Sequence, residues 1–267
     1  MGTIDGGLGG GLRGKFDGLS IYKMRGVDKV IVRKSAGHSK ENIKKDPRLE
    51  RFRLAGSEFG GRAAAAKYLM QALIFHKGLA DYNIAGPLIS LMKPVQELDT
   101  TSDFGKRNII LSSHAHYLKE FSLNRAHTFD SVIRFPVTGT INREALTATV
   151  KFPELIPGIN FTPPVDHPYY SFRIALGVVP DIVHKPFRYE PTHLDYPTAC
   201  ADYVNSEWFP LLQRAAPLEL SIQHTFLPPN EHYTLVLTVG IRYGILKGVN
   251  VIDQAPYVGS AKILEVG

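Results

Sequence analysis

The ten histidines of this 267-residue chain, with its one cysteine, are its best candidates for catalytic or metal chemistry. His114-Ala115-His116 would set two imidazoles on one side of a strand, a pairing that some metal sites use. The surrounding pattern predicts a helix instead, where residues two apart point about 200° from each other. His127 is expected in a loop beyond. His184, His193 and Asp195 lie in the Pro-rich stretch HKPFRYEPTHLDYP, at spacings that match no ligand signature. They read as turn and surface residues, as does Asp166-His167 before Pro168. Cys200 stands alone, so no intrachain disulfide forms and a Cys-based metal site is disfavoured. No base can be assigned to it, and it is expected to be inert. Glu207-Trp208-Phe209 holds the only Trp, expected as a core anchor. Gly9-Gly10-Gly11-Leu12-Arg13-Gly14 has the G-x-G-x-x-G spacing, but only eight residues precede it and no helical pattern follows. Neither a P-loop nor a G-x-S-x-G elbow is present. The expectation is a protein that is not an enzyme, with no catalytic residues, metal or cofactor.

Charge is concentrated where chemistry is not. Residues 13–53 hold 13 Lys and Arg against five acids, a local charge of +8. The first twelve residues carry −1, and residues 54–267, with 18 bases and 19 acids, carry −1 again. A localised basic block of this kind suits a phosphate backbone, an anionic surface or an acidic patch on another subunit. Its patch would be Arg33, Lys34, Lys40, Lys44, Lys45 and Arg48. Phe16, Tyr22 and Phe52 are few aromatics for a single-strand nucleic-acid groove, so nucleic acid is the weaker reading of the partner.

The elements that would position these residues fall into three segments: 1–45, 46–128 and 129–267. Residues 1–18 contain eight glycines, too many for a stable isolated helix or strand. Residues 19–34 alternate around Gly26 and predict a small hairpin or two short strands. Asp46-Pro47 is a helix start, a capping acid followed by Pro at the first helical position. Apolar spacings of three and four then predict a helix over 47–77, thinned by Gly56, Gly60, Gly61 and a run of alanines. Further helices are predicted at 88–93, between Pro87 and Pro94, and at 107–121. From about residue 130 the period becomes two, predicting strands at 146–152, 169–179, 182–189, 218–226, 233–246 and 257–266. The fold class expected is α+β: a Gly-rich basic N-terminal arm, a helical segment and an antiparallel β-sandwich-like domain. No stretch of 18 apolar residues is present to span a membrane. MGTIDGGLGGGLRG lacks the apolar core of a Sec signal, which predicts cytoplasmic synthesis and leaves release by another route open.

Gly10 to Gly14 with Lys15-Phe16-Asp17-Gly18-Leu19-Ser20-Ile21-Tyr22-Lys23 resembles the opening of a family of uncharacterised Bacteroidetes proteins. Asp46-Pro47 leading to Arg53-Leu54-Ala55-Gly56-Ser57-Glu58-Phe59-Gly60 is similar to that family's D-P helix. The stretches His116 to Asn124, Val239 to Tyr243 and Ala261 to Val266 resemble its helix end and closing strand pair. The resemblance implies a mainly β C-terminal domain and no established activity. Residues 160–215 match nothing in it.

Together these features lead to an expectation of a self-assembling structural subunit of a tube, sheath or filament, whose main partner is itself. A Gly-rich arm can add a strand to a neighbour's sheet edge, and heterologous contacts that do not close into a ring build helical polymers. The docking residues would be Gly9, Gly10, Gly11, Gly14, Lys15, Tyr22 and Lys23, and pairing of the basic arm with acids would make assembly sensitive to salt. The alternative is a binding module that uses the arm on nucleic acid or the β domain on a glycan.

Overall fold

The computed structural model describes residues 2–4, 14–16, 18–23, 29–34, 38, 40–248 and 251–267. The three segments expected from composition map onto two compact units, Met1–Arg53 and Leu54–Gly267. In the first, the expected hairpin forms from residues 19–34, while its Gly26 turn lies outside the described residues. Four strands, β1 (Gly2–Ile4), β2 (Gly14–Phe16), β3 (Leu19–Lys23) and β4 (Val30–Lys34), make one sheet in the order β1-β4-β3-β2. Two pieces of the glycine-rich stretch therefore are strands, each paired with the hairpin rather than isolated. Glycine makes a lone strand costly, but beside a preformed hairpin a three-residue segment gains ladder hydrogen bonds at once. A short helix, α1 (Lys40–Lys45), follows.

The Asp46-Pro47 start holds, with the Asp46 carboxylate accepting the Arg48 N–H at 2.9 Å. It opens a 3-10 turn, and α2 then runs over Glu50–Ala72, short of the expected residue 77. Its end tapers through three-residue turns, Ile74 N–H to Gln71 O and His76 N–H to Leu73 O. The next helix is longer than expected: α3 spans Ala85–Glu97 and contains both prolines. Pro87 sits in the first turn, where no intrahelical N–H is needed. Pro94 deprives the Ser90 carbonyl of its intrahelical partner, at an exposed position of the helix. The helix expected at 107–121 is absent as such. Ile109 instead bridges Ile182 through two backbone hydrogen bonds of 2.8 and 3.0 Å, leaving only α4 (Leu111–His114) and a 3-10 turn. A one-turn helix, α5 (Phe129–Val132), closes the helical run under a Thr128 cap.

The strands are β5 (Thr138–Asn142), β6 (Thr147–Phe152), β7 (Tyr169–Pro180), β8 (Ile182–Lys185), β9 (Arg188–Pro191), β10 (Ala201–Asn205), β11 (Phe209–Pro210), β12 (Leu218–Gln223), β13 (Tyr233–Leu246) and β14 (Ile252–Val266). All their pairings are antiparallel: a large sheet β10-β7-β13-β14 with β11 on β7, a sheet β12-β6-β5, and the hairpin β8-β9. The α+β class and the sandwich-like pairing hold. Between the two larger sheets lies one core, with Phe152, Phe172, Ile174, Leu237 and Ile241 in it.

The other face of the large sheet is not left to solvent. β13 is buried from Tyr233 to Gly244, because α2 and α3 cover the face away from the sandwich with Ala65, Ala66, Leu69, Leu88 and Met92. The residues there are small: Ala175, Gly177, Thr238 and Gly240. The alanine-rich stripe of α2 meets them, so its thinness serves packing within the chain. A Cβ on Gly177 would lie 2.5 Å from Ala72 Cβ and 2.8 Å from its Cα. Gly177→Ala is expected to push the helix off the sheet and lower stability by roughly 1–3 kcal/mol in urea unfolding. A loss below about 0.5 kcal/mol would mean that this interface yields easily.

Candidate functional site

The expected docking residues divide between places. Gly9, Gly10 and Gly11 lie outside the described residues. Gly14 opens β2 at a φ of 129°, a conformation that favours glycine, opposite Ile21. Lys15 lies opposite Ser20, and Tyr22 and Lys23 end β3. Of the basic patch, Arg33 and Lys34 end β4, with the Arg33 guanidinium 5.5 Å from the Tyr22 ring centre. Lys40, Lys44 and Lys45 belong to α1, where Lys45 pairs with Glu41 at 2.9 Å. Arg48 pairs with Asp46 at 2.9 Å. The sheet thus gathers Lys15, Tyr22, Lys23, Arg33 and Lys34, while Lys40, Lys44, Lys45 and Arg48 follow on helical turns.

Register sorts this small sheet into two faces. Leu19, Ile21 and Lys23 share one face with Val30, Val32 and Lys34; Lys15, Ser20 and Tyr22 share the other with Ile31 and Arg33. On the first face Leu19 is exposed and Ile21, Val30 and Val32 are half-buried. Ile31 is the one buried residue among those described in 1–53. Among the described residues the hairpin is also incompletely flanked. β2 reaches β3 only from Leu19 to Ile21, and β1 reaches β4 only from Val30 to Val32. Among the described residues, no second strand lies beside Tyr22 and Lys23 or beside Arg33 and Lys34.

In the second unit, the fold assembles a group that sequence spacing does not reveal. Cys200 Sγ lies 3.6 Å from His224 Nε2, and His224 Nδ1 lies 3.0 Å from Asp202 Oδ2. These are the residue types of a thiol nucleophile, its base and an orienting acid. The environment opposes that chemistry. Cys200 and His224 are buried. Burial, with the Asp202 charge adding to it, pushes the thiol up to about 12. The Phe226 N–H donates to His224 Nδ1 at 3.0 Å, which leaves the neutral ring's proton on Nε2, facing sulfur. The Asp202 approach would suit the opposite tautomer, but a thiol held that high keeps its own proton under either. Native Cys200 is expected to react with iodoacetamide at pH 8 on the order of a thousandfold more slowly than the same thiol in urea. Equal rates would show an accessible thiolate.

His114 and His116 come closer than a helix would allow, ring centres 6.3 Å apart, because the backbone changes from α to 3-10 between them. Among the described residues, no three His, Cys, Asp or Glu side chains gather to hold a metal ion. His193 and Asp195 form an exposed pair at 3.4 Å, as a turn would. Trp208 is half-buried rather than a core anchor, packed on the backbone of Gly244 with the Arg242 guanidinium 4.6 Å from its ring centre. A cleft of about 440 Å³ beside Arg143, Asn230 and Tyr233 has its arginine already engaged, 3.9 Å from the Tyr233 ring centre and 2.8 Å from Glu231 O. No helix among the described residues is long and apolar enough to cross a membrane. In comparisons with known proteins, no family model, no curated protein and no solved structure matches the chain.

Proposed function

We propose that the chain is a self-assembling structural subunit, joining copies of itself into a tube, sheath or filament through residues 1–53. The observation that carries this reading is the thin core of the N-terminal unit, where Ile31 alone is buried among the described residues. A four-stranded sheet whose described residues bury so little surface falls short of the stability that an independent unit needs. Leu19, Ile21, Val30 and Val32 offer apolar area for a neighbour to cover, each fully buried side chain adding roughly 1.5–3 kcal/mol. Tyr22, Lys23, Arg33 and Lys34 supply backbone donors and acceptors for an added strand. Backbone pairing needs no particular partner sequence, so another copy of the chain meets its requirements. The partner surface differs from the N-terminal sheet itself, since two units of charge +7 repel each other (13 bases against six acids in 1–53). The contact is therefore heterologous, the type that propagates.

Sedimentation velocity tests this reading. The full chain is expected to sediment as species far above 29.6 kDa, and Val32→Lys, which puts a charge on the covered face, to return it to single chains. A single-chain boundary for the unaltered protein at every concentration would refute the proposal.

A further inference from the structure

Beyond the end of α2, the helix-side face of the large sheet carries two arginines. Arg242 on β13 lies opposite Ser171 on β7, and Arg173 lies opposite Gly240, so the two are diagonal neighbours on one face. Each guanidinium rests on an aromatic ring: Arg242 is 4.6 Å from the centre of Trp208, and Arg173 is 5.0 Å from that of Tyr203. Tyr203 in turn packs on Phe75, with ring centres 4.2 Å apart. Three separate elements thus hold the pair in orientation.

Their hydrogen-bond partners are all neutral. Arg173 Nε donates to Asn205 Oδ1 at 2.8 Å and Nη1 to Phe75 O at 2.9 Å. Arg242 Nη2 donates to Ser171 Oγ at 3.2 Å and Nη1 to Gln254 Oε1 at 3.5 Å. Arg242 is only 9% exposed, and its Nε is buried with no partner. Among the described residues no carboxylate is a hydrogen-bond partner of either arginine. Two like charges on one face, one buried and one half-buried, without a carboxylate, repel each other and are costly to desolvate. Burial and the neighbouring Arg173 charge push Arg242 down to about 10, and burial pushes Arg173 down as well. Asn205, Gln254 and Tyr203 are exposed, so the cluster opens to solvent on that side.

We propose that Arg173 and Arg242 form an anion site for the phosphate group of a small phosphorylated molecule, approached from the side that opens to solvent. Guanidinium groups match phosphoryl oxygens geometrically, and the two positive charges balance a phosphate monoester's charge of about −1.5 to −2 better than a single carboxylate. The site is independent of the assembly reading, since it lies wholly within the second unit.

Trp208 is the only tryptophan of the chain, so tryptophan emission, excited selectively over tyrosine, reports on this site. The full-length protein is titrated at constant ionic strength with inorganic phosphate, glycerol 3-phosphate and acetate, with chloride as the balancing salt. A saturable change in emission is expected with both phosphates, and a much weaker one with acetate. Arg242→Met and Arg173→Met are each expected to weaken phosphate binding by at least about tenfold, the effect of losing a hydrogen bond to a charged group. Circular dichroism checks that both variants fold; should Arg242→Met fail, the half-buried Arg173 carries the test alone. Saturation by glycerol 3-phosphate but not by inorganic phosphate would place the ligand among phosphate esters. An unsaturable response, binding unchanged in the folded variants, or acetate binding as tightly as phosphate would overturn the assignment.

Discussion

Arg107→Met is expected to destabilise the second unit by about 3–5 kcal/mol, because it strands a buried carboxylate. Glu58 lies on α2, its side chain only 5% exposed, and Arg107 grips both its oxygens at 2.6 and 2.7 Å. The Gly105 N–H adds a third bond at 3.0 Å. Burial works to raise the Glu58 carboxyl, but the Arg107 hydrogen bonds, the Gly105 N–H and the Arg107 charge outweigh it and hold the group below its ordinary value. Without Arg107 the desolvation cost remains and its compensation is gone. The double variant Glu58→Leu/Arg107→Met removes both charges and is expected to recover most of the loss, as buried pairs do when replaced by apolar side chains. Urea unfolding of the three variants measures this directly. A single variant that costs under about 1 kcal/mol would mean that the pair is wet.

Acid is expected to weaken the fold well before its carboxylates are protonated. His76 is wholly buried against the sheet, its Nε2 3.1 Å from Arg173 O and its Nδ1 3.0 Å from Thr238 Oγ1. Burial pushes its value from 6.5 down to about 4. The sign follows from the linkage. Below 6.5 the unfolded chain takes up a proton that the native ring does not, so the stability present above 6.5 is lost as pH falls toward 4. The loss by pH 4 is about 3 kcal/mol. His76→Gln removes the titrating group and keeps an amide for the Arg173 carbonyl. The difference in unfolding free energy between wild type and this variant is expected to slope between pH 6.5 and 4 and to be flat above; a flat difference throughout would place the imidazole in contact with water. Glu58, held below its ordinary 4.5, contributes at lower pH still, so the two effects separate.

Where local pattern and tertiary packing agreed, the chain could be read. The alternation Tyr233, Leu235, Leu237, Val239, Ile241 and Tyr243 marks β13 to the residue, because every one of those side chains enters the core between the sheets. The same alternation misleads about the opposite face. Thr234, Thr238 and Gly240 look solvent-facing in sequence, yet they are small enough for helices to cover. At 107–121 a helical spacing lost to pairing, since Ile109 gains two backbone bonds from Ile182 that no helix could give it in that place. Short strands such as β10 and β11 have no periodicity of their own and exist because β7 offers an edge.

The candidate sites were legible unevenly for the same reason. Tyr22, Lys23, Arg33 and Lys34 lie within one hairpin, so local alternation brings them together on adjoining strands. Arg173 and Arg242 meet only through the β7–β13 register, and Cys200 and His224 only where strand ends converge. Each of these residues looks ordinary in sequence. Composition carried the charge asymmetry but not the thin core beneath it.

Negative-stain electron microscopy of the full-length protein beside a chain lacking residues 1–40, at low and high salt, tests the assembly reading most directly. Regular tubes or filaments are predicted from the full chain at low salt and none from the shortened one. Dispersed particles of single-chain size in every condition would contradict it, as would identical polymers from both proteins.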